Sequence, residues 1–556
     1  MDFIKDELIK LLKTAGVAGE IDLSAPPKSE MGDLAYACFE TAKKQGINPA
    51  EAAKVLAQKI TPTTLVEKIE AIGPYVNFHL NTAQAAKLIL LKKEKKQKTG
   101  KKIMVEYSQP NTHKEFHVGH LRNACIGAAV VKMLKETGNK VIAANYIGDI
   151  GAHVAKCLWY VKRHKMNDWP KENLGSWIGK MYTESVAELE KNPDAKSEID
   201  GVQRKLESRD REWSKLWEKT RKASLDEFKR IYKLLGNEFD VWFFESEEEN
   251  RGKEMVQELL KKGIAKIGEG GAVIVDLSQY GLDIFLLLKS DGSTLYATKD
   301  LALAEKKFKK YKIDESVVII DTRQVFYFKQ LFKTLELAGW KKKFICLAYE
   351  FVRLPEGAMS SRRGNVVLFE DIYNEVFSAL QSEVASRHND WKPAKRDETA
   401  RALALSAIKF GMLKHPIDKV IEFEVKEAMS FDGYTGPYVL YTIARINSIM
   451  KKFGKKVPVA EKYLSGLVKG EEKNLIMKIG QFNQVIKSAA DGFDPSALAR
   501  YSFDLAKIFN DFYGKCGILN ADDAGQKTAR LILCDRVRET LGKAAELLNI
   551  GTVEEM

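Results

Sequence analysis

The chain has 556 residues and a mass of 62.7 kDa; at ~150 residues per domain that length predicts three or four domains. Hydrophobic residues make up 45% and charged residues 30%, which excludes a disordered or collagen-like chain. Lys and Arg total 89 against 76 Asp and Glu, a net charge of +13 that fits either a polyanionic partner or a Lys-rich solvated surface.

The opening MDFIKDELIK sets acids among its apolar residues, so it lacks a signal-peptide core. Residues 1–91 read as a small α/β unit. Phe3, Leu8, Leu11 and Leu12 recur at helical spacing, Asn48 and Pro49 open a capped helix, and 75–80 (YVNFHL) alternates like a strand. Residues 92–102 hold seven lysines and read as a solvated linker. From 103 the pattern turns to short apolar runs at 103–107, 141–146, 272–277, 284–288, 317–320 and 344–348. Helical stretches separate several of them, as in a parallel sheet with crossover helices. Residues 154–262, rich in Trp, Lys and Glu, read as a helical insertion between the halves of that sheet. From about 395 to 556 the apolar spacing is three and four throughout, with no strand. The six cysteines (Cys38, Cys125, Cys157, Cys346, Cys516, Cys534) form no CxxC pair, so they read as buried or free thiols of a reducing compartment. No apolar run reaches the ~20 residues that cross a bilayer, so the expected location is the cytoplasm.

Chemistry concentrates in two places. The first apolar run leads through 108–116 into His117-Val118-Gly119-His120, and a helix with small residues follows. A helix N-terminus just after the first strand of a parallel sheet offers free backbone N–H groups and a favourable dipole to phosphates. Two imidazoles three apart can donate to phosphate oxygens, and Gly119 leaves room for a flat adenine against the backbone. The second place is 357–365 (GAMSSRRGN), where two arginines and two serines can clamp a polyphosphate.

Together the pair resembles the HxGH and KMSKS-type motifs of class I aminoacyl-tRNA synthetases. Among these the chain is similar to the arginyl-tRNA synthetases over nearly its whole length. The resemblance rests on 31–35 (MGDLA), 73–78 (GPYVNF), 106–111 (EYSQPN), 145–151 (NYIGDIG), 295–300 (LYATKD) and 432–446 (DGYTGPYVLYTIARI). It implies an α/β fold. A small N-terminal α/β domain at 1–91 would bind the tRNA elbow. A Rossmann-type parallel-sheet catalytic domain would span 103–394, and an all-α anticodon-binding domain 395–556. It implies activation of L-arginine by ATP, with Mg²⁺ accompanying the ATP, and transfer to tRNA(Arg). The arginine site would comprise Glu106, Ser108, Gln109, Pro110, Asn111, His120, Tyr296, Asp300 and Gln324. ATP would lie on His117, Gly119, His120, Met359, Ser360, Ser361 and Arg362, and tRNA on Tyr434, Tyr438, Tyr441 and Arg445. Asp300 and Glu106 would meet the cationic groups of the substrate, since a guanidinium offers five donors and keeps its charge.

Three departures from the family pattern stand out. Tyr327 replaces the His of a Gln-x-x-His element beginning at Gln324. Ile150 and His153 replace the usual Trp and Gln around the GDxG turn. Ala358 and Ser361 replace both loop lysines. Lys114, three residues before His117, is therefore the expected substitute cation in catalysis, with His117, His120 and Arg362. No metal-ligand cluster is visible, and a monomer is expected. Rival readings are a cysteinyl-tRNA synthetase, whose zinc ligands are missing; a small-molecule nucleotidylyltransferase, which would not need the helical C-terminal third; and a non-catalytic tRNA-binding paralogue, which would not need an intact HxGH.

Overall fold

Ile4, Leu8 and Leu12 fall on one side of α1 (Asp2–Thr14) and bury it against an antiparallel sheet. That sheet runs β1 (Leu23–Ser24), β2 (Leu34–Ala37), β4 (Tyr75–Leu80), β3 (Val66–Ile72). Asn48 caps α3 (Pro49–Lys59) by accepting from the Ala50 N–H, as its sequence predicts, and α2 (Phe39–Gln45) precedes it. This unit has its own apolar core. The computed structural model describes residues 1–91, 99–355, 367–521 and 523–556. Most of the predicted lysine linker, and the MSSRR segment with Met359, Ser360, Ser361 and Arg362, therefore lie outside the described residues.

After α4 (Thr82–Ala86) the chain enters a five-stranded sheet in the order β12-β11-β5-β6-β7, with every neighbouring pair parallel. Its strands are β5 (Lys102–Glu106), β6 (Lys140–Ile147), β7 (Val241–Phe244), β11 (Glu315–Asp321) and β12 (Lys343–Tyr349). Between them lie α5 (Val118–Glu136), α6 (Ala152–His164), α7 (Leu174–Lys191), α8 (Ala195–Glu207), α9 (Arg211–Leu235), α10 (Glu245–Lys261), α11 (Tyr296–Tyr311) and α12 (Val325–Leu337). Two expectations need correction. The runs at 272–277 and 284–288 are not part of the parallel sheet. As β9 (Val273–Asp276) and β10 (Ile284–Leu288) they pair antiparallel, with β8 (Lys266–Ile267) at the far edge. A short loop joins them, too short for a parallel crossover. The stretch 154–262 is also not helix alone, because its four-residue VWFF is β7 and closes one edge of the main sheet beside β6.

The C-terminal third holds α13 (Phe369–Arg387), α14 (Pro393–Leu413), α15 (Val425–Met429), α16 (Gly436–Phe453), α17 (Gly470–Gly480), α18 (Phe482–Asp491), α19 (Pro495–Lys515) and α20 (Ala524–Leu547). It also contains a strand the periodicity missed: β14 (Ile421–Glu422) pairs parallel with β13 (Val352–Arg353). Two residues are too few to leave an alternating pattern. One continuous apolar core runs from the sheet and α5 through these helices. No described helix is long and apolar enough to cross a membrane.

Candidate active site

The loop from β5 to α5 is built by local chemistry. Ser108 (φ 74°), Gln109 (φ 48°) and His113 (φ 66°) all sit in the left-handed region that side chains rarely adopt. Tertiary bonds hold them there. The Ser108 N–H donates to Asn123 Oδ1 at 2.7 Å, its hydroxyl meets that of Tyr232 at 2.7 Å, and the Gln109 N–H donates to Asn145 Oδ1 at 3.1 Å. Pro110 is buried, and its carbonyl accepts from the Gly148 N–H. Asn111 bridges to Gly148 of the GDxG turn; a Cβ there would stand 2.1 Å from Asn111 Oδ1, so only glycine admits the amide.

His117 is the N-cap of α5. Its Nδ1 accepts from the N–H groups of Gly119 (3.1 Å) and His120 (3.4 Å), while His120 Nδ1 accepts from the His117 N–H (3.3 Å). The two rings stack at 3.8 Å. With both Nδ1 atoms accepting, each imidazole carries its proton on Nε2, free to donate outward. Burial, then the positive charges of Lys114 and Arg323, pushes His117 down to about 4. Burial also drives His120 well below its ordinary value. Both are neutral donors at pH 7. A Cβ on Gly119 would lie 2.9 Å from His117 Cε1, so this glycine makes room for the capping ring itself.

Described residues on either side of 356–366 are tied to this helix. Arg122, wholly buried on α5, donates to the carbonyls of Glu350, Phe351, Pro416 and Ile417. On the far side the Val118 N–H donates to the Val367 carbonyl (2.9 Å), and the Phe369 N–H to that of Phe116 (3.0 Å).

The described residues enclose a cavity of about 840 Å³ beside the HxGH helix. Glu106, Ser108, Gln109, Asn111, His117, Gly119, His120, Tyr296, Asp300 and Gln324 all line it. The four-residue spacing of Tyr296 and Asp300 is realised on α11, and Lys307 continues the same face. Four acids stand on the wall. Glu106 Oε2 is 2.5 Å from Lys307 Nζ, and its Oε1 accepts from the Gln109 amide. Glu245 is 3.0 Å from Lys299, and Asp321 is paired with Arg323. Asp300 alone among them has no ion pair among the described residues; its partner is the neutral Tyr327 hydroxyl at 2.5 Å. Burial raises the Asp300 carboxyl to about 6 and the Glu245 carboxyl to about 7.

Glu245 and Lys307 are wall residues that the sequence reading did not select, Tyr327 is one it noted only as a departure from the family pattern, and Lys299 stands off the wall as the partner of Glu245. Glu245 follows the missed strand β7, and the carboxyl ends of parallel strands are where such clefts form. Lys299 was inside the LYATKD motif, but its ammonium answers a residue 54 positions away.

Lys114 is not on the cavity wall. Its ammonium lies 5.1 Å over the Tyr182 ring of α7, lowered from the ordinary lysine value by burial and then by Lys156. In the C-terminal helices the four tyrosine and arginine positions divide. Tyr434 donates to the Lys414 carbonyl and packs on Phe410 and Phe503. Tyr438 accepts from the Asn510 amide and also meets Phe503. Arg445 donates to Asn510 Oδ1 at 2.6 Å, and its guanidinium lies between the rings of Tyr441 (4.7 Å) and Tyr513 (5.1 Å), the latter 44% exposed and not anticipated from sequence.

Family models match the chain in three consecutive pieces. Residues 2–80 match the arginyl tRNA synthetase N terminal domain, 84–424 the class I (R) tRNA synthetase catalytic domain, and 439–556 the DALR anticodon binding domain. The chain belongs to the class I arginyl-tRNA synthetase family. An arginine–tRNA ligase of Bdellovibrio bacteriovorus is 37% identical, over 96% of this chain and 93% of that protein. One of Clostridium perfringens is 35% identical over 96% of each. The solved arginyl-tRNA synthetase of Thermus thermophilus superposes with a TM-score of 0.84 at 28% identity, covering 100% of both chains. With an arginyl-tRNA synthetase fold established, the HxGH helix, the GDxG turn and the α11 face of this family member form one cleft at the carboxyl ends of β5, β6 and β11.

Proposed function

We infer that this enzyme activates L-arginine with ATP and esterifies tRNA(Arg). The observation that carries the amino-acid choice is the charge balance of the cavity wall. Three of its acids are ion-paired with protein cations; Asp300 feels Lys307 and Lys299 of its own helix but forms no ion pair among the described residues. One permanently charged, planar guanidinium completes that balance, and a neutral side chain leaves a buried acid unpaired. Asp300 then takes the guanidinium, and Tyr296, Gln324 and Glu245 surround it. Asn111, Ser108, Gln109, Pro110 and His120 shape the α-amino end, and Glu106 acts through its pairs with Lys307 and Gln109. This differs from a direct contact between Glu106 and the guanidinium.

ATP lies against Gly119, with the Nε2–H groups of His117 and His120 donating to its phosphates. The family resemblance adds Met359, Ser360, Ser361 and Arg362 of the MSSRR motif to the groups that bind it. An oxygen of the arginine carboxylate attacks the α-phosphorus as the bond to pyrophosphate breaks. The 3′-terminal ribose hydroxyl then attacks the carbonyl, AMP leaves, and the hydroxyl proton passes to solvent or to the departing phosphate. Catalysis is positioning plus charge stabilisation. Mg²⁺ arrives with the ATP phosphates; among the described residues no group of three His, Cys, Asp or Glu side chains is placed to hold a metal. Residues 1–91 are assigned to the tRNA elbow and the helices from about 395 to the anticodon. The enzyme works as a cytoplasmic monomer.

Charging of total tRNA with each labelled amino acid tests the reading. Arginine alone should be incorporated. Incorporation of cysteine or glutamate but not arginine overturns it.

A further inference from the structure

Tyr327, the departure from the Gln-x-x-His pattern beginning at Gln324, is fixed as firmly as the acid it touches. It sits in the first turn of α12, its ring held edge-on between Phe285 (5.7 Å) and Phe328 (5.2 Å), and its hydroxyl donates to Asp300 Oδ2 at 2.5 Å. Asp300 is faced by Tyr327 from α12, Glu106 from β5, Tyr146 from β6 and Glu245 from α10. Tyr296, Lys299 and Lys307 lie on its own helix. The two lysines are already committed to Glu245 and Glu106. The phenol is therefore the group that decides how this carboxylate is oriented and whether it meets a ligand as an acceptor or as a donor.

A carboxylate that receives one hydrogen bond and gives none matches a guanidinium, which only donates. A protonated carboxyl offers an O–H instead, which matches the carbonyl oxygen of a neutral urea. We propose that Tyr327 is a positioning and selectivity residue of the amino-acid site, holding Asp300 as an acceptor so that a guanidinium is chosen over its uncharged urea isostere. The proposal rests on the arginine reading above. Burial already lifts Asp300 to about 6, and the Tyr327 hydrogen bond is the largest influence opposing that rise. Removing the hydroxyl leaves the buried carboxyl more readily protonated, which weakens arginine and favours citrulline.

The test compares wild type, Tyr327→Phe and Tyr327→His in tRNA charging, with arginine as substrate and citrulline as competitor, from pH 5.5 to 8.5. In Tyr327→Phe the arginine KM should rise about 10-fold or more, as for a lost hydrogen bond to a charged group, with the ATP KM unchanged. Citrulline inhibition should hold or tighten, and the acid limb of kcat/KM for arginine should move to higher pH. Tyr327→His, which restores a donor, should recover part of the arginine affinity. If Tyr327→Phe weakens arginine and citrulline equally with an unmoved acid limb, or leaves arginine unchanged, the selectivity role is overturned. A wild-type protein that charges no arginine strikes the arginine reading instead, before Tyr327 is in question.

Discussion

Asp300 pairs with a neutral phenol where the other three acids of the cavity wall pair with cations. Asp300→Asn removes the charge that the guanidinium meets and leaves the amide in its place. The expected loss is ~2–5 kcal/mol in arginine binding, read as a raised arginine KM at constant ATP KM. Wild-type arginine kinetics in this variant would show that the cavity binds arginine elsewhere. The pH dependence follows from the same group. Its folded-state value, about 6, is raised above the ordinary carboxylate value by burial. The empty site therefore keeps protons that the unfolded chain releases, and this contribution to stability falls as pH rises from about 4 to about 6. Arginine needs the ionised form, so its affinity should rise over the upper part of that range and level off above it; calorimetric titration at several pH values reads this directly. Lys114 raises a separate question. It lies off the cavity wall on Tyr182, yet its charge reaches His117 and His120. The sequence assigns it the role of the missing loop lysines, and on that assignment Lys114→Ala should slow adenylation by roughly 10²-fold with little change in arginine affinity. Partial recovery in the Lys114→Ala, Ser361→Lys double variant would support that role. An unchanged adenylation rate would transfer it to Arg362 and Arg363.

At the scale of elements, the start of α5 and the GDxG turn are locked by buried groups that must stay in one protonation state. Burial pushes His113 and His153 each down to about 3, and His113 is held between the Thr112 and Thr220 hydroxyls. In the unfolded chain both take up protons near pH 6.5, so their contribution is present above that pH and is lost as pH falls toward 3, at about 1.4 kcal/mol per pH unit for each. Urea midpoints measured at pH 7 and pH 5 should show the decline, and equal midpoints would contradict it. The turn itself is anchored from the helical stretch. Asp149 accepts from Arg221 Nε and from the Ser246 N–H and hydroxyl, and the Trp217 indole donates to its carbonyl. The helical character of 154–262 was read from its Trp, Lys and Glu content and is found in α6 to α10, whereas the strand inside it left no such signal. VWFF is short and apolar on both faces, so it carries neither alternation nor helical spacing. Only its pairing with β6 identifies it. The same limit hid Glu245, whose position at a strand end became visible only with the strand.

For the whole molecule, the helices of the C-terminal third share a core with α5 and the main sheet, and the N-terminal unit touches them as well. Asp33 of the MGDLA motif is 2.8 Å from Lys473 on α17, and Met477 packs into the N-terminal core. Deleting the chain from about 425 would expose that shared core, so loss of tRNA binding after truncation would not separate recognition from unfolding. Point changes do. Tyr434 and Tyr438 are inter-helix packing residues, and their replacement by Ala should lower stability. Arg445→Ala, between Tyr441 and Tyr513 and bonded to Asn510, should weaken tRNA binding by ~1–3 kcal/mol, as for loss of a stacking surface, beyond the fall in the unfolding midpoint that the lost Asn510 bond brings. Full tRNA affinity in Arg445→Ala would move the RNA surface away from this cluster.

The α/β class, the motif set, the helix start at His117 and the shared face of Tyr296 and Asp300 are legible in the residues alone, because these depend on local spacing and on which residue can cap a helix or turn a chain. Long-range pairing is encoded in no local pattern and comes only with the fold. The fold paired β9 with β10 outside the main sheet and placed β7 at the sheet edge. It also matched Lys307 to Glu106 and Lys299 to Glu245. An acid's charge in the cavity depends on which cation burial brings to it, and those partners come from distant parts of the chain. That is why Glu106 and Asp300, alike in the sequence as two acids of one family site, end with different partners and different roles.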